Sequence, residues 1–130
     1  MRRGDPLRDR ERVALAVISG LTVLEGAAQI VVPALSLGAA SGEDDATTRH
    51  LWSTIGMFMA VVGGWLLDGL LQRPRDRTGL PWAAAQKLGA AGAVSLGVRR
   101  GIFSPLALAV AGFDALSGLL AIDYWRRLGR

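Results

Sequence analysis

Residues 80–98 read LPWAAAQKLGAAGAVSLGV, which is apolar enough for a lipid bilayer but contains a lysine, Lys87. Along this run a small residue recurs at every fourth position, at Ala85, Gly89, Ala93 and Gly97. Residues four apart lie on one face of a helix, so the pattern predicts a ridge with almost no side chain. Such ridges let helix backbones approach closely inside a membrane. We therefore expect a membrane helix against which its neighbours pack.

Three further apolar runs cover residues 13–37, 51–71 and 104–125. A helix needs about 20 residues to cross the hydrocarbon core of a bilayer, and each run is long enough. The charged residues are concentrated between and outside the runs, and the mean hydropathy of the chain is +0.33. A soluble bundle would instead carry a polar stripe along every helix. The prediction is an all-α membrane domain over 13–125, a bundle of four transmembrane helices that are antiparallel because their connections are short.

Prolines mark the predicted ends and bends of these helices. Pro33 lies in the last third of the first run, where it predicts a kink. Pro81 suits the first turn of the third helix, and Ser104 with Pro105 reads as the N-cap and first position of the fourth. The first run also exceeds the 7–15 residues of a signal-peptide core and contains Glu25, which favours a retained span.

Basic residues near the ends of the runs predict the orientation, because such residues are enriched on the cytoplasmic side. Eleven of them lie on one side and three on the other. The eleven are Arg2, Arg3, Arg8, Arg10 and Arg12 in 1–12, Arg73, Arg75 and Arg77 in the second connection, and Arg126, Arg127 and Arg130 in 126–130. The three are Arg49, Arg99 and Arg100. We therefore expect a basic N-terminus and a basic tail that are both cytoplasmic. Because the positive charge flanks the spans and forms no single patch, we expect no binding of nucleic acid.

Ionisable and amide side chains inside the runs form a predicted intramembrane polar cluster. Its members are Glu25, Gln29, Asp68, Gln86, Lys87 and Asp114. A charge at the centre of a bilayer costs roughly 2.5–3.5 kcal/mol on insertion scales, so these groups must face inward and find partners. The side chain of Lys87 leans toward the N-terminus of its helix, which favours Asp68 as its partner. We expect either Glu25 or Asp114 to be protonated at neutral pH.

The second run carries a further ridge of small residues, Gly56, Ala60 and Gly64. The same four-residue spacing continues to Asp68, which predicts that its carboxylate faces a neighbouring helix. Both ridges are interpreted as helix-packing surfaces.

The residue content argues against most catalytic and metal chemistry. The chain has no cysteine and a single histidine, His50, which excludes disulfides, thiolate metal sites and thiol catalysis. No glycine-rich phosphate-binding motif occurs in the sequence. We expect no cofactor, no metal and no enzymatic activity.

The overall layout resembles the DoxX-like group of small bacterial membrane proteins. The resemblance lies in the layout of the whole chain: the small size, the four spans, the two cytoplasmic termini and the charged residues near the ends of the spans. It implies a four-helix bundle in the bacterial cytoplasmic membrane. A basic complement that is all arginine except for Lys87, with abundant alanine and glycine, also resembles proteins of GC-rich bacteria.

Two functions remain open from the sequence. The first expectation is a small non-enzymatic membrane protein that acts as a structural or accessory subunit, partnered by the bilayer and by further copies or a larger membrane complex. The alternative is a proton-coupled small-molecule permease that uses Glu25, Lys87 and Asp114, because intramembrane carboxylates commonly mark proton or substrate paths.

Overall fold

The computed structural model describes residues 6–40, 43–72 and 76–130, with side chains from residue 10 onward. Within these ranges it contains five helices and no strand, so the all-α prediction is confirmed. The helices are α1 (Pro6–Val31), α2 (Pro33–Ala39), α3 (Ala46–Leu71), α4 (Gly79–Arg99) and α5 (Ala107–Leu128). Arg2, Arg3, Arg73 and Arg75, which were used to predict the orientation, lie outside the described residues.

Three of the helices are long and apolar enough to cross a membrane. They cover Arg10–Val31, Ala46–Leu71 and Ala107–Leu128. Helix α4 falls short of this hydropathy because it is rich in alanine and glycine and contains Gln86 and Lys87. Large apolar side chains cover the outside of the molecule, among them Leu24, Val31, Leu35, Leu106 and Leu116. An apolar exterior of this kind, together with three helices of spanning length, indicates a membrane protein.

The first predicted run is broken at Pro33 into α1 and α2. Val32 leaves the helical region with φ −131° and ψ 58°. Proline has no N–H, so it cannot donate to the carbonyl four residues earlier, which belongs to Gln29. The hydroxyl of Ser53 on α3 donates to that carbonyl oxygen at 3.0 Å instead. The predicted kink is therefore a break, and a neighbouring helix satisfies the carbonyl that it frees.

The other helix ends follow local capping chemistry. Asp45 caps α3 by accepting a hydrogen bond from the backbone N–H of Thr48 at 3.0 Å. After α4 the chain reverses at Gly101, whose φ of 73° suits glycine. Helix α5 begins at Ala107, two residues after the predicted first position, and Pro105 lies in a turn ahead of it. The prediction that Ser104 caps α5 is wrong, because the residue before the helix is Leu106 and no side chain caps it.

The helices pack chiefly as two pairs, α1 with α3 and α4 with α5. Near the beginning of α1, Arg12 donates to the carbonyl of Leu70 at the end of α3 (3.3 Å), and further along Gly26 lies against Gly56. The pairs meet where α1 and α4 begin and where α3 and α5 end. The buried cluster at this "core end" consists of Leu15, Leu66, Leu70, Leu80, Ala83, Ala84, Ala121 and Tyr124. The two pairs are therefore joined most firmly at one end.

Candidate functional site

A buried ion pair joins α4 to α5. The Nζ of Lys87 lies 2.8 Å from Oδ1 of Asp114, and each residue is only 8% exposed. The same ammonium lies 5.7 Å from the centre of the Phe113 ring, within reach of a cation–π interaction. Lys87 comes to this position because Leu80, Ala83 and Ala91 share its buried face, at helical spacings of three and four.

Asp68 lies outside this pair. It is exposed, and its Oδ2 accepts a hydrogen bond from Nε2 of Gln72 at 2.8 Å on the same helix. The expectation that Asp68 would be the partner of Lys87 is therefore wrong. The direction in which a lysine side chain leans along its own helix does not determine which neighbouring helix it contacts. Lys87 contacts α5.

A cleft of about 450 Å³ lies between the two helix pairs. Its lining includes Glu25 and Gln29 from α1, several α3 residues, Gln86 and Lys87 from α4, and Asp114 from α5. Five of the six residues predicted to form the polar cluster thus line the same cleft, and Asp68 is the exception.

Glu25 is the exposed member of this group. It interacts electrostatically with Lys87 and Asp114, but it forms no hydrogen bond or close ion pair with any residue that the structure describes. Asp114 already neutralises Lys87 at 2.8 Å, so the Glu25 carboxyl group is left without a compensating partner. In an apolar cleft such a group is available for protonation or for a ligand.

The two glutamines of the cleft differ in their surroundings. Gln29 is 3% exposed, and its Nε2 donates to the sulfur of Met59 at 3.5 Å. Its Oε1 is buried and has no hydrogen-bond donor among the described residues. Gln86 is half-buried in the opposite wall. Gln29 therefore lines the cleft on the same side of α1 as Glu25, while its Oε1 is enclosed beside Gly56 of α3.

A second cavity of about 200 Å³ also has Glu25 in its wall. It extends past Ser36, Trp52, Phe103 and Ala107, residues at the end of the bundle opposite the core end. Trp52 is held in place by a 2.8 Å hydrogen bond from its Nε1 to the hydroxyl of Ser36. Glu25 therefore lies where the cleft meets the second cavity, which extends toward the end of the bundle opposite the core end.

Some residues of the two small-residue ridges pack against other parts of the chain, and the others do not. Gly56, Ala60 and Gly97 pack inside the chain: Gly56 lies against Gln29 and Gly26, Ala60 against Gly26, and Gly97 against the ring of Phe103. No atom within 4 Å would meet a Cβ added at Gly64 or Gly89, and Ala85 and Ala93 are exposed. The ridge of α4 is thus not what holds this helix within the chain, except at Gly97.

Helix geometry explains the exposed ridge. Successive helical residues are about 100° apart, so Ala85 and Gly89, two positions from Lys87, project about 160° away from it. The charged side chain and the ridge cannot both face inward, and a charge costs more to expose to lipid than alanine or glycine does. Lys87 therefore takes the inner face.

Three glycines that carry close helix contacts were not singled out from the sequence. They are Gly26 against Gly56 and Ala60, Gly63 against Ser19 and Val23, and Gly118 against Leu88 and Ala84. The sequence signal that could have revealed Gly26 is its position directly after Glu25. A carboxylate in the middle of an apolar run indicates that this turn of the helix faces another element.

Comparisons with protein-family models, with curated proteins and with solved structures found no match to this chain. The resemblance to the DoxX-like group stays a prediction. Among the residues that the structure describes, no three or more histidine, aspartate or glutamate side chains are grouped so that they could hold a metal ion.

Proposed function

We propose that this chain is a four-span protein of the bacterial cytoplasmic membrane with both termini in the cytoplasm. The fourth span is α4, whose 21 residues are about 31 Å long. Helix α4 packs along α5. Just before α4 begins, Arg77 donates to the carbonyl of Trp125 near the end of α5, and in the middle of α4 Leu88 packs on Gly118. The ion pair with Asp114 offsets the charge that makes α4 less apolar than the other helices.

We propose further that this membrane protein is a non-enzymatic, proton-coupled permease for a small molecule. The observation that carries this proposal is the position of Glu25, an unpaired carboxyl group at the junction of two cavities. A carboxyl group at such a position can hold either a proton or a ligand, which couples the two by competition. The leucine and tyrosine side chains of the core end close the bundle on the other side.

The ion pair serves this function as a fixed wall. Lys87 and Asp114 neutralise each other, so the charge of the cleft changes only when Glu25 gains or loses a proton or a ligand binds. Transport then requires a second arrangement in which the two helix pairs separate at the core end and close around Glu25. The sparse contacts between the pairs, compared with those inside each pair, favour such a movement.

Infrared spectroscopy of the protein in nanodiscs tests the role of Glu25. We expect a carboxyl band that appears and disappears as the pH is changed between about 5 and 9, the range in which a proton-exchanging group operates. The band should be absent from Glu25→Gln and retained in Asp68→Asn, which removes an exposed carboxylate outside the cleft. A Glu25 carboxyl that never exchanges its proton in this range would overturn the permease.

A structural or accessory subunit is the second candidate. It is favoured by the exposed small residues Ala85 and Gly89 of α4, which point away from Lys87 and are covered by no described part of the chain. Native mass spectrometry from mild detergent would then show a homo-oligomer or a larger complex, and Gly89→Leu would dissociate it. A monomer in wild type and variant alike would exclude this role for the ridge.

A further inference from the structure

The cleft between the helix pairs contains one charged group that is not paired within it. Among its lining residues the charged groups are Glu25, Lys87 and Asp114, and the last two neutralise each other at 2.8 Å. An ionised Glu25 therefore leaves the cleft with one net negative charge. An anionic ligand would be repelled by this negative charge. It would form no ion pair with Lys87 in return, because Asp114 already binds that ammonium group.

The hydrogen-bond acceptor that the cleft offers is the carboxylate of Glu25, which no donor among the described residues occupies. Gln29 lies four residues later on the same face of α1, but its Oε1 is enclosed beside Gly56 at the contact with α3 and is closed to a ligand. Hydrogen bonds from a charged donor to a carboxylate are among the strongest in proteins. The two carboxylate oxygens of Glu25 therefore favour a cation that donates hydrogen bonds over a cation that has none.

Aromatic side chains form the rest of the wall. Trp52 and Phe58 come from α3, and Phe103 from the connection that precedes α5. Ring faces bind apolar bodies and attract cations. A volume of about 450 Å³ lies within the range of small-molecule sites and admits one or two fused rings.

We propose that this cleft binds a protonated primary or secondary amine that carries an apolar aromatic body. The ammonium group donates to the Glu25 carboxylate, and the body packs on Trp52, Phe58 and Phe103. The proposal names the substrate class of the permease and so rests on the function proposed above.

Binding of such an amine depends on the protonation of Glu25. The groups that face Glu25 are Lys87 on α4 and Asp114 on α5, while the α3 residues of the wall, Trp52, Ile55, Phe58 and Met59, carry no titratable group. When the amine meets a protonated Glu25, the carboxyl proton leaves to water and the ammonium takes its place. Binding therefore weakens as the pH falls, and one proton is released for each amine bound to the protonated form.

A set of three matched probes tests the proposal by calorimetry on the full chain in nanodiscs. They are 1-naphthylmethylamine, its N,N,N-trimethyl derivative and the neutral 1-naphthylmethanol. We expect the amine to bind wild type and Asp68→Asn equally, and to bind Glu25→Gln at least tenfold more weakly. The trimethyl derivative and the alcohol should each bind wild type at least tenfold more weakly than the amine.

Several results would overturn the proposal. Equal binding of the amine to wild type and Glu25→Gln would mean partition into lipid. An alcohol that binds as tightly as the amine would mean a site for neutral amphiphiles. A trimethyl derivative that binds as tightly as the amine would mean that no hydrogen bond to Glu25 selects the ligand. The amine could also bind as expected while Glu25 exchanges no proton in the infrared experiment. That result would support the amine site and overturn only the proton-coupled function.

Discussion

The ammonium of Lys87 and the carboxylate of Asp114 meet at 2.8 Å across 27 positions of sequence, and they lock α4 onto α5 midway along both helices. Neither group has more than about a tenth of its side chain exposed. Removing one partner leaves the other charge buried, whereas removing both leaves an apolar contact.

Lys87→Met and Asp114→Leu are each expected to lower the free energy of unfolding by about 3–5 kcal/mol, because each strands a buried charge. The double variant should lose much less than the sum and can equal wild type. Unfolding by SDS titration, followed by circular dichroism in the four proteins, measures this coupling. Additive losses would mean that the two side chains do not act as a pair.

Gly56→Ala and Gly64→Ala form a matched pair that tests the contact between α1 and α3. A Cβ at Gly56 would lie 2.6 Å from both Cβ of Gln29 and the carbonyl oxygen of Gly26, and such overpacking costs about 1–3 kcal/mol. No atom lies within 4 Å of a Cβ at Gly64, so alanine there should be neutral or gain up to about 1 kcal/mol from its helix propensity. Thermal unfolding in one detergent compares the two, and equal melting temperatures would contradict the packing described here.

The sequence predicts the helices better than it predicts the faces that they present. Runs of apolar residues and prolines place all the long helices, but α1 begins seven residues and α3 five residues before the predicted runs. Small residues at a spacing of four do not stay on one face, because each step advances about 40° beyond a full turn. Gly56 therefore packs inside, while Gly64 does not.

The partner of Lys87 shows the same limit. Three carboxylates compete for one lysine in the sequence, and choosing among them requires knowing which helix lies beside α4. The long-range pairing of α4 with α5 supplies that information, and nothing local in the sequence encodes it. Glu25, Gln29 and the ion pair could be predicted as inward-facing polar groups, but the cleft that separates Glu25 from the pair could not.

The hydroxyl of Ser53 compensates for Pro33 by donating to the carbonyl of Gln29. Ser53→Ala leaves this buried acceptor unsatisfied and should lower the free energy of unfolding by about 1–3 kcal/mol. In a Pro33→Ala background the backbone N–H of residue 33 can take over, so the same substitution should cost less. Chemical denaturation of the four proteins measures the difference, and an equal cost in both backgrounds would show that Ser53 acts independently of the helix break.

The stability of the first turn of α3 is expected to depend on pH through Asp45. The hydroxyl and then the backbone N–H of Thr48 donate to this carboxylate, and both hydrogen bonds lower the pKa of Asp45 below its usual value. Because the folded pKa is the lower one, the ionised cap stabilises the turn above the unfolded pKa of about 3.9, and this stabilisation is lost as the pH falls through the folded pKa.

Amide exchange of Thr48 and Arg49 between pH 7 and pH 3 detects this loss. Asp45→Asn caps without titrating, so its protection should vary less with pH than that of wild type. Glu43→Gln serves as the control, since Glu43 is an exposed carboxylate outside the cap. Arg49 similarly lowers the pKa of Asp44 by donating to it, so some pH dependence should persist in Asp45→Asn.

The ion pair between α4 and α5 also constrains how the chain is made. Helix α4 leaves the ribosome before α5, with an uncompensated Lys87 and a hydropathy below that of the other long helices. The carboxylate that neutralises it is synthesised 27 residues later. If the translocon released helices one at a time, α4 alone would partition poorly into lipid, because its lysine would be unpaired. In the proposed four-span arrangement, the last two helices are therefore expected to enter the bilayer together, as a hairpin in which α5 neutralises the charge of α4.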